Sequence, residues 1–129
     1  MIPSKTRTSP PHPARRLAIQ CRIRDAGKIR IIDVNGRLVW NPDEALGKAV
    51  KSLLAEGHRQ IIVNLKKVPM VDSGGFGELA VCLKRVRDKE GGIRLVKAKG
   101  QFPLVMETLL ELMFSNTMFA EELKAVGSF

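Results

Sequence analysis

Between Ile61 and Lys97 the chain reads strand, amphipathic helix, strand, and that order constrains the fold more than any other stretch. Ile61-Ile62-Val63-Asn64-Leu65 is short, β-branched and apolar on both faces apart from Asn64, the pattern of a strand covered on each side. A helix is expected from about Gly75 to Lys89, with Phe76, Leu79, Ala80, Leu83 and Val86 inward and Glu78, Lys84, Arg85, Arg87 and Asp88 mostly outward. Gly91-Gly92 breaks it, and Ile93-Arg94-Leu95-Val96 returns as a strand. Strands joined by a helical crossover pair in parallel with a right-handed connection, so the fold class is α/β.

The flanks extend this unit. Leu17, Ile19, Cys21 and Ile23 alternate with Gln20, Arg22 and Arg24, giving a strand. A hairpin turn at Asp25-Ala26-Gly27-Lys28 leads to a second strand, Ile29 to Val34, ending at Asn35-Gly36. Asn41 reads as the N-cap of a helix with Pro42 at its first position and Glu44 three residues after the cap; Ala45, Leu46, Ala49, Val50, Leu53 and Leu54 form its apolar stripe. Pro103 opens a third helix, and Phe119 to Val126 suggests a short last one. On the third helix Val105, Leu109 and Leu112 read as the core face. Met106, Leu110 and Met113 make a second row, either more core or a partner-facing patch.

Residues 1–16 contain Pro3, Pro10, Pro11 and Pro13, no periodicity and no acid, so a disordered basic tail is expected before one domain at 17–129. An Arg-rich, acid-free leader also has the composition of an organellar address. The 129 residues suffice for one hydrophobic core. Four of the nine net positive charges belong to the tail, and five Phe, one Trp and no Tyr supply few stacking platforms, which argues against nucleic-acid binding. No apolar run approaches the ~20 residues of a membrane span. Cys21 and Cys82 lie in apolar-patterned segments without a signal peptide before them, as reduced, buried thiols of a cytoplasmic protein would. No metal site is expected, since neither His12 nor His58 is near a cysteine in sequence.

The chemistry-bearing stretch is Asp72-Ser73-Gly74-Gly75-Phe76-Gly77, at the exit of the central strand. Ser73 is open to three readings there: nucleophile, phosphate acceptor or helix cap. A nucleophile needs a general base within hydrogen-bond reach, yet His12 is in the tail and His58 precedes the far end of a strand ~17 Å long. Val71, where Gly should stand, also rejects the Gly-x-Ser-x-Gly elbow. Gly75-Phe76-Gly77-Glu78-Leu79-Ala80 matches a dinucleotide fingerprint formally, but Val96-Lys97-Ala98-Lys99 stands where its acid belongs. No enzymatic activity and no cofactor are expected.

From Leu17 to the C-terminus the chain resembles the STAS family, the domain of bacterial anti-sigma factor antagonists. The resemblance is carried by Asn35-Gly36-Arg37-Leu38, Ile61 to Leu65, Val68 to Gly77 and Gly91 to Val96, with Asp72 to Gly77 the most specific element. It implies a single domain with a mixed four- to five-stranded sheet and packed helices. It also implies that Ser73 is a phosphoacceptor modified by a partner that is both anti-sigma factor and serine kinase, with a phosphatase to reverse the step. The unmodified form would bind that partner and free a sigma factor, docking through Asp72, Gly74, Gly75, Phe76 and Trp40. Trp40 is open to two readings, core or exposed anchor. Two positions depart from the family pattern: Gly74 replaces a second Ser or Thr, and Val39 stands where an Asp is common. A non-phosphorylated scaffold subunit of a lipid-transport or stress-signalling complex is the alternative, favoured by Val39 and the Met106-Leu110-Met113 row.

Overall fold

A computed structural model describes residues 19–129; the basic tail and Leu17 lie outside the described residues. In chain order the elements are β1 (Gln20–Ala26), β2 (Ile29–Asn35), α1 (Ala45–Ala55), β3 (Gln60–Lys67), α2 (Ser73–Asp88), β4 (Gly92–Val96), α3 (Leu104–Met113), β5 (Met118–Phe119) and α4 (Glu122–Gly127). One five-stranded sheet has the order β1-β2-β3-β4-β5. The β1–β2 pair is antiparallel, and each later neighbour is parallel. The hairpin is tighter than the sequence reading, because Ala26 pairs with Ile29 and only Gly27-Lys28 form the turn. Gly27 supplies the left-handed φ of 66° that this turn needs.

The strand order advances one step at each crossover. With every connection right-handed, the crossover helices α1, α2 and α3 fall on the same face of the sheet. The main core lies there, joining Leu46, Val50, Leu79, Leu83, Leu110 and Phe114 to Ile32, Val63, Leu65 and Leu95. On the other face α4 covers a smaller cluster of Ile29, Ile31, Ile62, Val96 and Ala125. Ile61, Ile62 and Val63 of β3 are all 0 % exposed, which accounts for their unbroken apolar run.

Three local expectations are corrected. Asn41 caps a turn instead of a helix: its Oδ1 accepts the Asp43 amide at 2.7 Å and its carbonyl accepts the Glu44 amide at 3.2 Å. That side-chain bond competes with helix initiation, Glu44 takes a left-handed φ of 47°, and α1 begins at Ala45. Phe119 belongs to the short strand β5, so the last helix starts later, at Glu122.

The third correction concerns α3, which is rotated relative to the sequence reading. Val105 and Leu112 are each 73 % exposed and Leu109 38 %, whereas Leu110 is 0 % exposed. Met106 and Met113 pack against the main core. Both rows are apolar, so periodicity could not choose between them; a polar contact does. Glu107 accepts from the buried Lys97 Nζ at 2.6 Å and from the Phe102 amide at 2.8 Å, which turns the row containing Leu110 inward.

Candidate functional site

Asp72 is the N-cap of α2, and Ser73 is its first helical residue. The Gly75 amide donates to Asp72 Oδ1 at 2.8 Å, and the same carboxylate accepts the Trp40 amide at 3.1 Å. Cap formation therefore rests on Asp72, and Ser73 is released from it. The Ser73 side chain is exposed and makes no hydrogen bond within the described residues. Of the first-turn amides, that of Asp72 donates to the Leu38 carbonyl at 3.2 Å and that of Gly75 to the cap. The Ser73 and Gly74 amides have no acceptor among the described residues, so two free donors flank the hydroxyl at the positive end of a 16-residue helix.

The loop after β2 is tied to the loop after β3. Leu38 forms a parallel bridge with Val71, and its amide donates to the Met70 carbonyl at 3.0 Å. This ladder lays residues 38–40 over the start of α2 closely enough to require glycine beneath. A Cβ on Gly75 would stand 1.8 Å from the Leu38 carbonyl oxygen, and one on Gly74 would stand 2.5 Å from the Trp40 Cβ. The second Ser or Thr that Gly74 replaces is thus incompatible with this loop position. Gly74 and Gly75 serve close packing here.

Trp40 is 71 % exposed, which decides its two readings in favour of an exposed side chain. Between it and α2 runs a groove of about 310 Å³, floored by Gly74 and Gly77 and continued by Val81 and Arg85. Of the docking residues expected from sequence, Trp40 and Gly74 meet at this surface, and Ser73 directly precedes Gly74 in the chain. Gly75 is buried and Phe76 packs against the main core, so both support the surface from below. Asp72 is half-buried, with its carboxylate engaged by two backbone amides.

Glu78 was read as an outward residue and has a structural task. Its Oε2 accepts the Gly47 amide at 2.8 Å, with the neighbouring Leu46 amide also favouring its charged form, and so supplies across the helix interface the cap that α1 lacks locally. Burial holds its carboxyl above the usual range, partly offset by those amides. No local sequence signal connects residue 78 to residues 46 and 47. The Asp72 cap did have one: Asp is a favoured N-cap, and here it directly precedes the apolar helix pattern.

The rejected chemistries are consistent with this geometry. His58 sits at the start of β3 beside Glu56, at 3.6 Å, on the opposite end of the strand from Ser73. Gly75 and Gly77 lie inside α2, so they form no loop that could cradle a dinucleotide. Cys82 is buried and Cys21, expected to be buried too, is half-buried; burial pushes both thiols up to about 12, away from the thiolate form.

A family model for the STAS domain matches residues 20–123. No curated protein matches the chain at a meaningful level. Among solved structures, an anti-sigma factor antagonist from Mycobacterium paratuberculosis is similar with a TM-score of 0.71 at 18% identity, covering 92% of this chain and 97% of that one. A Thermotoga maritima protein assigned provisionally as an anti-sigma factor antagonist gives 0.72 at 20% identity, covering 84% and 92%. The Bacillus cell fate determinant SpoIIAA, in its phosphorylated form, gives 0.64 at 18% identity, covering 86% and 98%. At these identities the structural likeness speaks for the fold.

Proposed function

The chain belongs to the STAS domain family, and within it we propose that this protein is an anti-sigma factor antagonist, a cytoplasmic regulatory protein and not an enzyme, switched by phosphorylation of Ser73. The observation that carries this reading is the state of Ser73 itself. Its side chain is exposed, is excused from capping by Asp72, and stands at a helix start with two free amides, next in sequence to Gly74, which packs against the exposed Trp40. The partner is an anti-sigma factor that is also a serine kinase, with a phosphatase reversing the modification. Similarity in fold to a SpoIIAA structure in its phosphorylated form supports the same reading.

Modification at this position switches binding without unfolding the chain. A phosphate adds roughly 1.5 to 2 negative charges, which the open amides at the start of α2 accommodate. Inside a docked interface the same charge must be desolvated next to the Asp72 carboxylate, at a cost of several kcal/mol. The unmodified surface docks through Trp40, Gly74 and the groove along α2, with Asp72 holding the two walls together. The test is co-purification of the bound partner, incubation with ATP and peptide mass mapping. Phosphate on Ser73 and release of the partner support the reading; an active partner kinase that leaves Ser73 unmodified overturns it.

A second reading, a scaffold subunit of a lipid-transport or stress-signalling complex bound without phosphorylation, draws on Val39 and on the exposed Leu104, Val105, Leu109 and Leu112 of α3. The Met106-Leu110-Met113 row no longer supports it, because that row is core. Equal partner affinity of the wild type and Ser73→Ala, with or without ATP, favours this alternative.

A further inference from the structure

Because α1, α2 and α3 occupy one face of the sheet, the opposite face is covered, among the described residues, where α4 and the C-terminal residues pack, over Ile29, Ile31, Ile62 and Val96. Where β2 and β3 end, that face stays open. It forms a groove of about 420 Å³ whose lining includes Arg22, Arg24, Asp33, Asn64, Lys66 and Lys67. We propose that this groove is a binding site for a compact polyanion of phosphate chemistry, a di- or triphosphate group held between Arg22, Lys66 and Lys67.

Charge accounting separates these three cations from an ordinary solvated surface. Arg24 is committed to Asp33 and to Glu122, the latter at 2.6 Å, so the only carboxylate in the lining is already engaged. Arg22, Lys66 and Lys67 have no ion-pair partner among the described residues. Three unpaired positive charges around one cleft repel each other and concentrate a positive potential that an anion relieves.

The backbone is arranged to gather them. Asp33 pairs with Asn64, but Asn35 pairs with Lys67, so β3 carries one extra residue at this point. Asn64 Oδ1 accepts the Lys66 amide at 2.9 Å, while its Nδ2 donates to Glu122 at 3.0 Å. Asn64 thereby holds the bulge and ties it to α4. Successive strand residues normally point to opposite faces, whereas next to this bulge Lys66 and Lys67 both line the same groove.

Size and composition define the ligand class. The volume is within the ~300 to 1,000 Å³ range of small-molecule sites. Among the described residues no aromatic side chain lines the groove to offer a platform for a nucleobase, and recognition rests on charge and on the amides of Gln20 and Asn35. The groove shares no lining residue with the one beside Trp40, so it stands independently of the Ser73 switch.

The full chain, ¹⁵N-labelled, is titrated with inorganic tripolyphosphate and, separately, with phosphatidylcholine vesicles carrying a lipid whose headgroup bears more than one phosphate, a phosphatidylinositol bisphosphate. The expected result is saturable shifts of the Arg22, Asn35, Asn64, Lys66 and Lys67 amides. Arg22→Ala, Lys66→Ala and Lys67→Ala, each checked for an unchanged melting temperature, should each weaken binding by about tenfold, as loss of one charge-assisted contact does. Lys48→Ala on α1 should leave it unchanged. Saturation by tripolyphosphate identifies a free phosphate ligand; vesicle binding alone, with the same dependence on the three cations, identifies a lipid headgroup. Absence of saturation with both probes overturns the proposal. So does binding that is lost on substituting Arg7, Arg15 and Arg16 of the tail but survives all three groove substitutions.

Discussion

The carboxylate of Asp72 joins Trp40 to Gly75, accepting the backbone amide of one at 3.1 Å and of the other at 2.8 Å. One side chain thus starts α2 and fixes the loop that carries the exposed tryptophan. Asp72→Ala should cost about 2 kcal/mol, the upper end for an N-cap, and Asp72→Asn well under half of that, because the amide oxygen still accepts. Urea unfolding of the two variants checks this. Gly75→Ala should be worse than either, since its methyl group would meet the Leu38 carbonyl oxygen at 1.8 Å.

Glu78 gives a pH signature of its own. Burial raises its folded-state value above the ordinary carboxylate one. The unfolded chain therefore ionises this group first, so its contribution to stability falls as pH rises from the ordinary carboxylate range to the raised folded value, and is constant above it. Glu78→Gln keeps an acceptor for the Gly47 amide and removes the ionisation. Plotted against pH, its stability relative to wild type should climb across that window. Glu78→Ala, which leaves the start of α1 uncapped, should lose about 1 kcal/mol.

The Lys97–Glu107 pair is the polar contact that orients α3. Lys97 is 5 % exposed, so Lys97→Met, which strands the Glu107 carboxylate, should cost roughly 3–5 kcal/mol by denaturant titration. The double variant Lys97→Met, Glu107→Gln should recover much of that loss. For Glu107 burial acts to raise the value, but the bonds from Lys97 and the Phe102 amide prevail and lower it. Its contribution is therefore present above the unfolded carboxylate value and is lost as pH falls through the lowered one.

The rotation of α3 separates two rows that composition cannot tell apart. Leu110→Ala should destabilise by about 2–5 kcal/mol, whereas Val105→Ser and Leu112→Ser should each stay within about 0.5 kcal/mol of wild type. Thermal melts of the three variants distinguish this orientation from the one expected from the apolar pattern alone.

The βαβ unit was legible because its apolar runs and its Gly91-Gly92 break are local signals, and the central position of β3 followed from an apolar run with no polar face. Ser73 was found by its neighbours in sequence. What the sequence left open depends on contacts between distant segments. Glu78 caps α1 from 31 residues away, and Gly74 and Gly75 are fixed by a loop more than 30 residues earlier. The α3 orientation turns on the Lys97–Glu107 contact, which joins residues ten apart and has no signal in the apolar pattern. β5, only two residues long, carries no periodicity at all. The open basic groove escaped notice because it depends on which face the crossovers cover.

The most direct test of the account compares partner affinity and melting temperature for the unmodified protein, Ser73→Ala and the protein carrying phosphoserine at position 73. Ser73→Ala should match wild type in both, within about 0.5 kcal/mol of stability, because the hydroxyl makes no bond that the fold uses. The phosphorylated form should melt within a few degrees of wild type yet bind the co-purified partner at least about a hundredfold more weakly. Equal affinity of the phosphorylated and unmodified forms contradicts the switch at Ser73.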